Sequence, residues 1–396
     1  MIVRHFLRWI QTAAAGDRAD ATSALARAYL HSDLAGEDRA AAEAAMITLM
    51  DDPSPLVRRA LADALATSEE APHTVVVGLL QDQPEIAAII ARHSPLLFDA
   101  ELVDLVGGGD PQVQYAVSRR DHVPAPVAAA IAEVGCLEAC LAVVSLDTAD
   151  VPAFSIDRII ERFGEDPDIR EALFARDDLS PGARQALVVK LSSALSAFVA
   201  GRAWLPEDRA KRVAREASDK ATVAIAAACR GEGLSPLVRH LRQSGQLSTG
   251  LVLRALLSGN VRLFEEALAE LAGLTLRQAS GLVHDRRGAG FRALYDRAGL
   301  PASTWQAFRA ALDAWHEDGG GSQRGGHAQL RRRMVERVLT AYAPLADGEL
   351  DQLLAQLRRF AAEAARDEAR AFTRDLIAGN EALDDEQVDF PMVAAA

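Results

Sequence analysis

The sequence predicts an all-α protein: an α-solenoid, a right-handed superhelix of stacked helix pairs, that continues into a C-terminal helical region. Helix-start signals recur at Asp52-Pro53, Asp82 with Pro84, Asp110-Pro111 and Asp166-Pro167, and the prolines at 53, 84, 111 and 167 stand 31, 27 and twice 28 residues apart. A period in this range marks helix pairs that bury their apolar faces only by stacking on neighbours. The residues between these starts carry apolar side chains at helical spacing. Composition agrees, with 49% hydrophobic residues, only 5% aromatic, and 40 Arg beside three Lys. Ala, Leu and Arg, which dominate here, are strong helix formers.

The opening residues MIVRHFLRWI predict a first helix that packs Ile2, Phe6, Trp9 and Ile10 on the next one, since Arg4, His5 and Arg8 interrupt any export-signal core. Residues 20 to 50 predict two helices parted near Ser32 to Gly36. In Ser54-Pro55-Leu56-Val57-Arg58-Arg59, Ser54 is the expected N-cap and Pro55 the first helical residue, where no amide hydrogen is needed. Leu56, Val57, Ala60, Leu61, Ala64 and Leu65 then mark one buried face. Helix pairs follow from Pro72, Asp82, Ser94, Asp110 and Pro124. Where the next Asp-Pro is due the chain reads Gly135-Cys136-Leu137, so one repeat keeps its apolar pattern without its start signal; Asp166-Pro167 restores it.

Each of these aspartates is expected to be a helix cap of ~0.5 to 2 kcal/mol and not a catalytic group. Beyond Ser180-Pro181 the helices lengthen, with expected spans near 182 to 200, 206 to 230, 235 to 243, 248 to 258, 260 to 272, 275 to 284, 289 to 298 and 302 to 316. Ser235 to Arg239 repeats Ser54 to Arg58 residue for residue. The resulting organisation is a repeat array over 1–195, a continuing helical domain over 196–316, a Gly-rich linker over 317–327, a helical hairpin over 328–380 and an acidic tail over 381–396.

The segment S-P-L-V-R-R-A-L-A-D-A-L at 54 to 65, the repeated Asp-Pro starts, and the blocks L-F-E-E-A-L-A-E-L-A-G-L at 263 to 274 and F-R-A-L-Y-D-R-A-G-L-P at 291 to 301 together resemble a family of uncharacterised bacterial proteins. The resemblance spans roughly residues 40 to 315. It implies an all-helical fold, HEAT-like in its first half, and carries no activity and no catalytic residues.

No phosphate-binding loop, dinucleotide fingerprint or nucleophile elbow occurs, and no strand pattern exists to mount one. Cys136, Cys140 and Cys229 lie in apolar helical patterns without C-x-x-C or H-E-x-x-H, so neither a disulfide framework nor a metal site is expected. The nine histidines read as scattered capping or surface groups. No cofactor is expected, no segment reaches the ~20 apolar residues of a membrane span, and the expected compartment is the cytoplasm.

Charge is bipolar. Residues 35 to 110 hold 14 acidic and four basic residues, a balance of −10, whereas residues 202 to 262 hold 11 basic and five acidic, a balance of +6. The acidic half repels nucleic acid and suits a basic protein partner, with Glu85, Glu101 and Asp104 as the candidate face. The basic half suits phosphate or the acidic half of another copy in a homo-oligomer. One further constellation, Asp285 to Arg292, sets Arg286, Arg287 and Arg292 beside glycines at a helix start and is a candidate site for a small anionic ligand. The sequence therefore predicts a protein-binding scaffold or regulatory adaptor without catalysis. Its rivals are a HEAT-like nucleic-acid enzyme of the alkylpurine glycosylase type, against which the net charge of −13 speaks, and an anion sensor at the 285–292 turn.

Overall fold

Proline begins helix after helix in this chain because its fixed φ suits the first turn and its missing amide hydrogen is not needed there. The computed structural model describes residues 8–229, 233–285, 288–317, 326–342, 355, 357–366, 368–370 and 372–373. It divides into two units, Met1–Leu191 and Ser192–Ala396. The described residues are helical, without a strand; a single isolated bridge joins Val123 to Ala149. Among them no helix is long and apolar enough to cross a membrane.

The first unit contains α1 (Ala15–His31), α2 (Gly36–Leu49), α3 (Pro55–Leu65), α4 (His73–Leu79), α5 (Pro84–His93), α6 (Asp99–Gly107), α7 (Pro111–Ser118), α8 (Ala125–Val134), α9 (Leu137–Val144), α10 (Ala153–Phe163), α11 (Pro167–Phe174) and the start of α12 (Pro181–Gly201). Odd-numbered helices pack in succession, α1 on α3, α3 on α5 and so on to α11, while α2 packs on α4, and α6, α8 and α10 pack in turn. The register repeats: the third and seventh residues of five successive odd helices, Val57 and Leu61, Ile86 and Ile90, Val113 and Val117, Ala139 and Val143, Ile169 and Leu173, are all buried. Spaced by four, they fall on one helix stripe, and at ~25 cal/mol per Å² of apolar surface that stripe is what holds each helix to its neighbours. Ile10 packs partly buried against this core and Trp9 is half-exposed; Ile2 and Phe6, expected beside them, lie outside the described residues.

The expected aspartate caps divide into two kinds. Asp110 and Asp166 are N-caps whose carboxylates accept from the amides of Gln112 and Val113, and of Asp168 and Ile169. Asp52 and Asp82 accept one local amide each, from Ser54 and Gln83, and turn their remaining capacity to arginines from the preceding odd helix, Arg18 and Arg58. Ser54 stands at the N-cap position of α3 but its side chain makes no capping bond; Asp52 serves its amide instead. Where the Asp-Pro signal is missing, a side chain from the preceding odd helix replaces it. Gln114 of α7, 2% exposed, accepts from the Cys136 amide at 2.9 Å and donates to the carbonyls of Val106 and Val134 at 2.9 and 3.2 Å.

In the second unit, α13 (Glu207–Ala228), α14 (Leu234–Gln243), α15 (Thr249–Leu257), α16 (Val261–Ala272), α17 (Leu276–Val283), α18 (Ala289–Arg297), α19 (Trp305–Glu317) and α20 (Gly326–Tyr342) follow the expected spans closely. α15 lies centrally, packing on α13, α16, α19 and α20, and each residue from Leu251 to Leu257 is buried. The two blocks that carried the family resemblance form its aromatic core: Phe264 lies 6.2 Å from Phe291 and 6.0 Å from Phe308, and Tyr295 lies 5.0 Å from Trp305, ring centre to ring centre. Gly273 ends α16 at φ +63°, a left-handed conformation that a side chain disfavours. Leu357 and Phe360, from the described helical residues 357–366, join this core with Met334 and Val338 of α20. The Gly-rich stretch 318–325 and the tail 381–396 lie outside the described residues.

Candidate functional site

The register that buries the third and seventh residues of the odd helices turns the second and fifth outward. Glu85, Gln112, Glu138 and Asp168 occupy the second position of α5, α7, α9 and α11, and all are exposed. At the fifth position stand Tyr115 of α7, 44% exposed, and Leu141 of α9, half-buried. Between α7 and α9 an open groove of about 570 Å³ is lined by Gln112, Tyr115, Arg119, Glu138, Leu141 and Ser145. An exposed tyrosine beside a leucine supplies contact area at small entropic cost, and Glu138 and Arg119 place one charge of each sign in the wall.

The structure sets Glu85 in this row with Glu138 and Asp168. It sets Glu101 and Asp104 on α6, in the other row of helices, where the Glu101 carboxylate accepts from the Phe98 amide at 2.9 Å while Asp104 is exposed. The three residues of the expected acidic face are thus on two different rows.

The cations of the first unit are largely committed to its own backbone and carboxylates. Arg18 grips Asp52 through two nitrogens at 2.9 and 2.8 Å, and Arg58 grips Asp82 at 2.6 and 2.9 Å. The Arg18 hydrogen bond holds the Asp52 carboxyl below the usual carboxylate range against the opposing effect of burial. At Asp82 burial pushes upward, and the Arg58 and Gln83 hydrogen bonds outweigh it to leave the carboxyl lowered. Further along, an arginine near the end of one helix seals the C-terminus of the helix stacked before it. Arg120 donates to Ala91 and Ser94 at the end of α5, Arg162 to Ala132 and Gly135 at the end of α8, and Arg176 to Val144 at the end of α9. A cation there satisfies orphan carbonyls and faces the negative end of the helix dipole. Met1–Leu191 holds 30 acidic and 16 basic residues, a balance of −14, so it carries the whole net charge of the chain. With five of its arginines turned inward, the surface left to solvent is more acidic than that balance states.

At the 285–292 turn, Gly288 adopts φ +75° and opens α18, and the Asp285 carboxylate accepts from the Gly290 amide at 3.1 Å. The helix start is therefore served by the chain's own anion. Arg292 pairs with Asp296 at 2.9 Å and lies 4.7 Å over the Trp305 ring; Arg286 and Arg287 lie outside the described residues. The adjoining cavity, about 370 Å³, is lined by Arg309 and by three carboxylates, Asp285, Asp313 and Glu317. Beside it the structure joins two histidines that the sequence left apart: His284 Nδ1 and His316 Nε2 are 3.1 Å apart, and His284 Nε2 lies 2.6 Å from the Glu265 carboxylate, which also accepts from the Ser280 hydroxyl. With the histidines 32 positions apart, no local spacing signals that pair. Burial dominates the cysteines, Cys140 being raised to about 11, far from a reactive thiolate.

No curated protein and no solved structure matches the chain. The model of one family, described as an uncharacterised protein conserved in bacteria (DUF2336), matches residues 86–347. That match runs from the first residues of α5 to beyond α20 and takes in both the α7–α9 groove and the aromatic core of the second unit, and with it the chain belongs to the DUF2336 family of bacteria.

Proposed function

We propose that the chain is a cytosolic, non-catalytic protein-binding scaffold or adaptor whose first unit is a HEAT-like solenoid, and that the outward face of its odd helices holds a basic, partly apolar segment of another protein. The observation that carries this reading is the division of charge in the first unit: arginines turned inward onto Asp52, Asp82 and helix carbonyls, and Glu85, Glu138 and Asp168 left exposed along the row of helices that carries Tyr115. The acidic balance of the first unit as a whole, 30 acidic against 16 basic residues, steers a basic partner and repels nucleic acid. The i to i+2 packing of the helices supports the solenoid, because stacked repeats leave one edge of every helix open along the array.

The test is affinity capture from the native host's lysate at low and high salt, comparing the wild type with a variant carrying Glu85→Lys, Tyr115→Ala and Glu138→Lys whose helical content is first checked by circular dichroism. The scaffold reading expects a basic protein retained by the wild type, released by salt and lost from the variant. Identical retention by both forms, or retention of nucleic acid alone, would overturn it.

A further inference from the structure

One cluster of side chains in the second unit is unbalanced in charge. A cavity of about 470 Å³ opens between α13, the α15–α16 turn, α19 and α20, and its wall holds four cationic side chains, Lys220, Arg254, Arg262 and Arg331, against one carboxylate, Glu363. Glu363 is already shared: Lys220 approaches it at 2.6 Å and Arg254 at 3.1 Å. Arg331 has one nitrogen on the Ser258 carbonyl at 2.9 Å, and neither it nor the exposed Arg262 has a carboxylate partner among the described residues.

Arg254 sharpens the imbalance. It is 6% exposed, its guanidinium lies 4.2 Å over the Phe360 ring, and its Nε has no hydrogen-bond partner among the described residues. Glu363 pairs with one of its nitrogens and the Asp219 carboxyl acts on it electrostatically, but a buried guanidinium with an idle donor is still costly. α16, twelve residues long, begins at the same cavity, with Asn260 and Val261 in the wall. Its positive dipole end adds to the four cations. Guanidinium groups are suited to phosphate because their planar donors match its oxygens in pairs. Trp315 lines the cavity with a half-buried indole whose ring also lies 5.3 Å from that of His284, and the volume falls in the ~300 to 1,000 Å³ range of small-molecule sites.

We propose that this cavity binds a small phosphate-bearing molecule, with the phosphate on Arg262 and Arg331 in front of Arg254 and with Trp315 beside the remainder of the ligand. The site differs from the 285–292 turn, where carboxylates outnumber cations, and all its residues belong to the second unit, so it stands or falls independently of the scaffold reading.

Isothermal titration of the full chain tests it with three probes: AMP, its phosphate-free counterpart adenosine, and pyrophosphate. Binding of AMP or pyrophosphate but not adenosine is the expected result, with Arg262→Glu weakening it at least tenfold and Arg292→Ala leaving it unchanged. Arg262 is exposed and makes no hydrogen bond or ion pair among the described residues, so a folding defect does not confuse the result. AMP binding that Trp315→Leu weakens while pyrophosphate binding persists assigns the ligand to the nucleotide class; pyrophosphate binding as tight as AMP, insensitive to Trp315→Leu, assigns it to inorganic or simple organic phosphates. Absence of heat from both phosphates at millimolar concentration, or binding indifferent to Arg262→Glu, overturns the proposal.

Discussion

Arg162 and Arg158 stand one turn apart on α10 and should respond unequally to the same substitution. Arg162 donates to the Ala132 and Gly135 carbonyls at 2.7 Å each and stacks at 4.6 Å over the Phe163 ring, joining the end of α8 to α10. Replacing it with Met keeps the aliphatic packing and removes both bonds. A hydrogen bond with one charged partner contributes ~1.5 to 3 kcal/mol and a cation at a helix C-terminus ~0.3 to 1; since the freed carbonyls at this partly buried end regain some water, the expected net loss is roughly 2 to 4 kcal/mol. Every 1.4 kcal/mol is tenfold, so amides of α8 and α9 that exchange by local opening should exchange roughly 30 to 700 times faster. Hydrogen exchange of the full chain, read by mass spectrometry on peptides covering 125–144, measures this. Arg158, paired with the exposed Glu133 and Glu161, is a surface ion pair; Arg158→Met should change the same rates by less than about threefold. Arg162→Lys should fall between, because an ammonium cannot span two carbonyls as a guanidinium does. Equal effects of the two Met substitutions would refute the argument that internal arginines tie successive helices together.

Gln114→Leu leaves the Cys136 amide and two helix carbonyls without their shared partner and should cost roughly 2 to 4 kcal/mol in urea unfolding monitored at the first unit. Asp219 has its pKa raised to about 6, first by burial and then by Glu216, with Arg254 and Arg215 opposing. A carboxyl that binds its proton more tightly folded than unfolded stabilises the fold as pH falls from about 6 towards 3.8 and withdraws that stability as pH rises; Asp219→Asn should therefore gain up to about 3 kcal/mol at pH 7 and little at pH 4, compared by urea titration at the two values. Gly273→Ala, at φ +63°, should destabilise by roughly 1 kcal/mol in the same titration. Cys140, fully buried with its thiol raised to about 11, should resist iodoacetamide in the native chain and react only on unfolding, as intact-mass analysis would show.

What local chemistry governs was legible in the sequence. Prolines at the first helical residue, Asp110 and Asp166 as caps, and the spacing of buried residues in α3, α5 and α7 need only a few neighbouring positions to read. Gln114 was not legible, because its partners lie on α6, α8 and α9 and become neighbours only after stacking. The same holds for Arg120, Arg162 and Arg176, which read as ordinary exposed helix residues until the helix two places earlier is set beneath them. Asp52 and Asp82 look like the other Asp-Pro starts, and only the reach of Arg18 and Arg58 distinguishes them. Candidate sites suffered most. Glu85 and Glu101 are near in sequence but on different rows, His284 and His316 are far in sequence but paired, and Arg254 meets Glu363 across 109 residues.

The central claim, that the open face of the odd helices holds another protein, is tested most directly in living cells of the native host. A photo-crosslinking residue placed at Gln112, in the wall of the α7–α9 groove, is compared with one at Glu37, exposed at the start of α2 and outside it. A single protein of net positive charge joined from position 112 and not from position 37, and lost when Glu138 is changed to Lys, is the predicted result. Equal labelling from both positions, or no protein joined from either, would contradict the account.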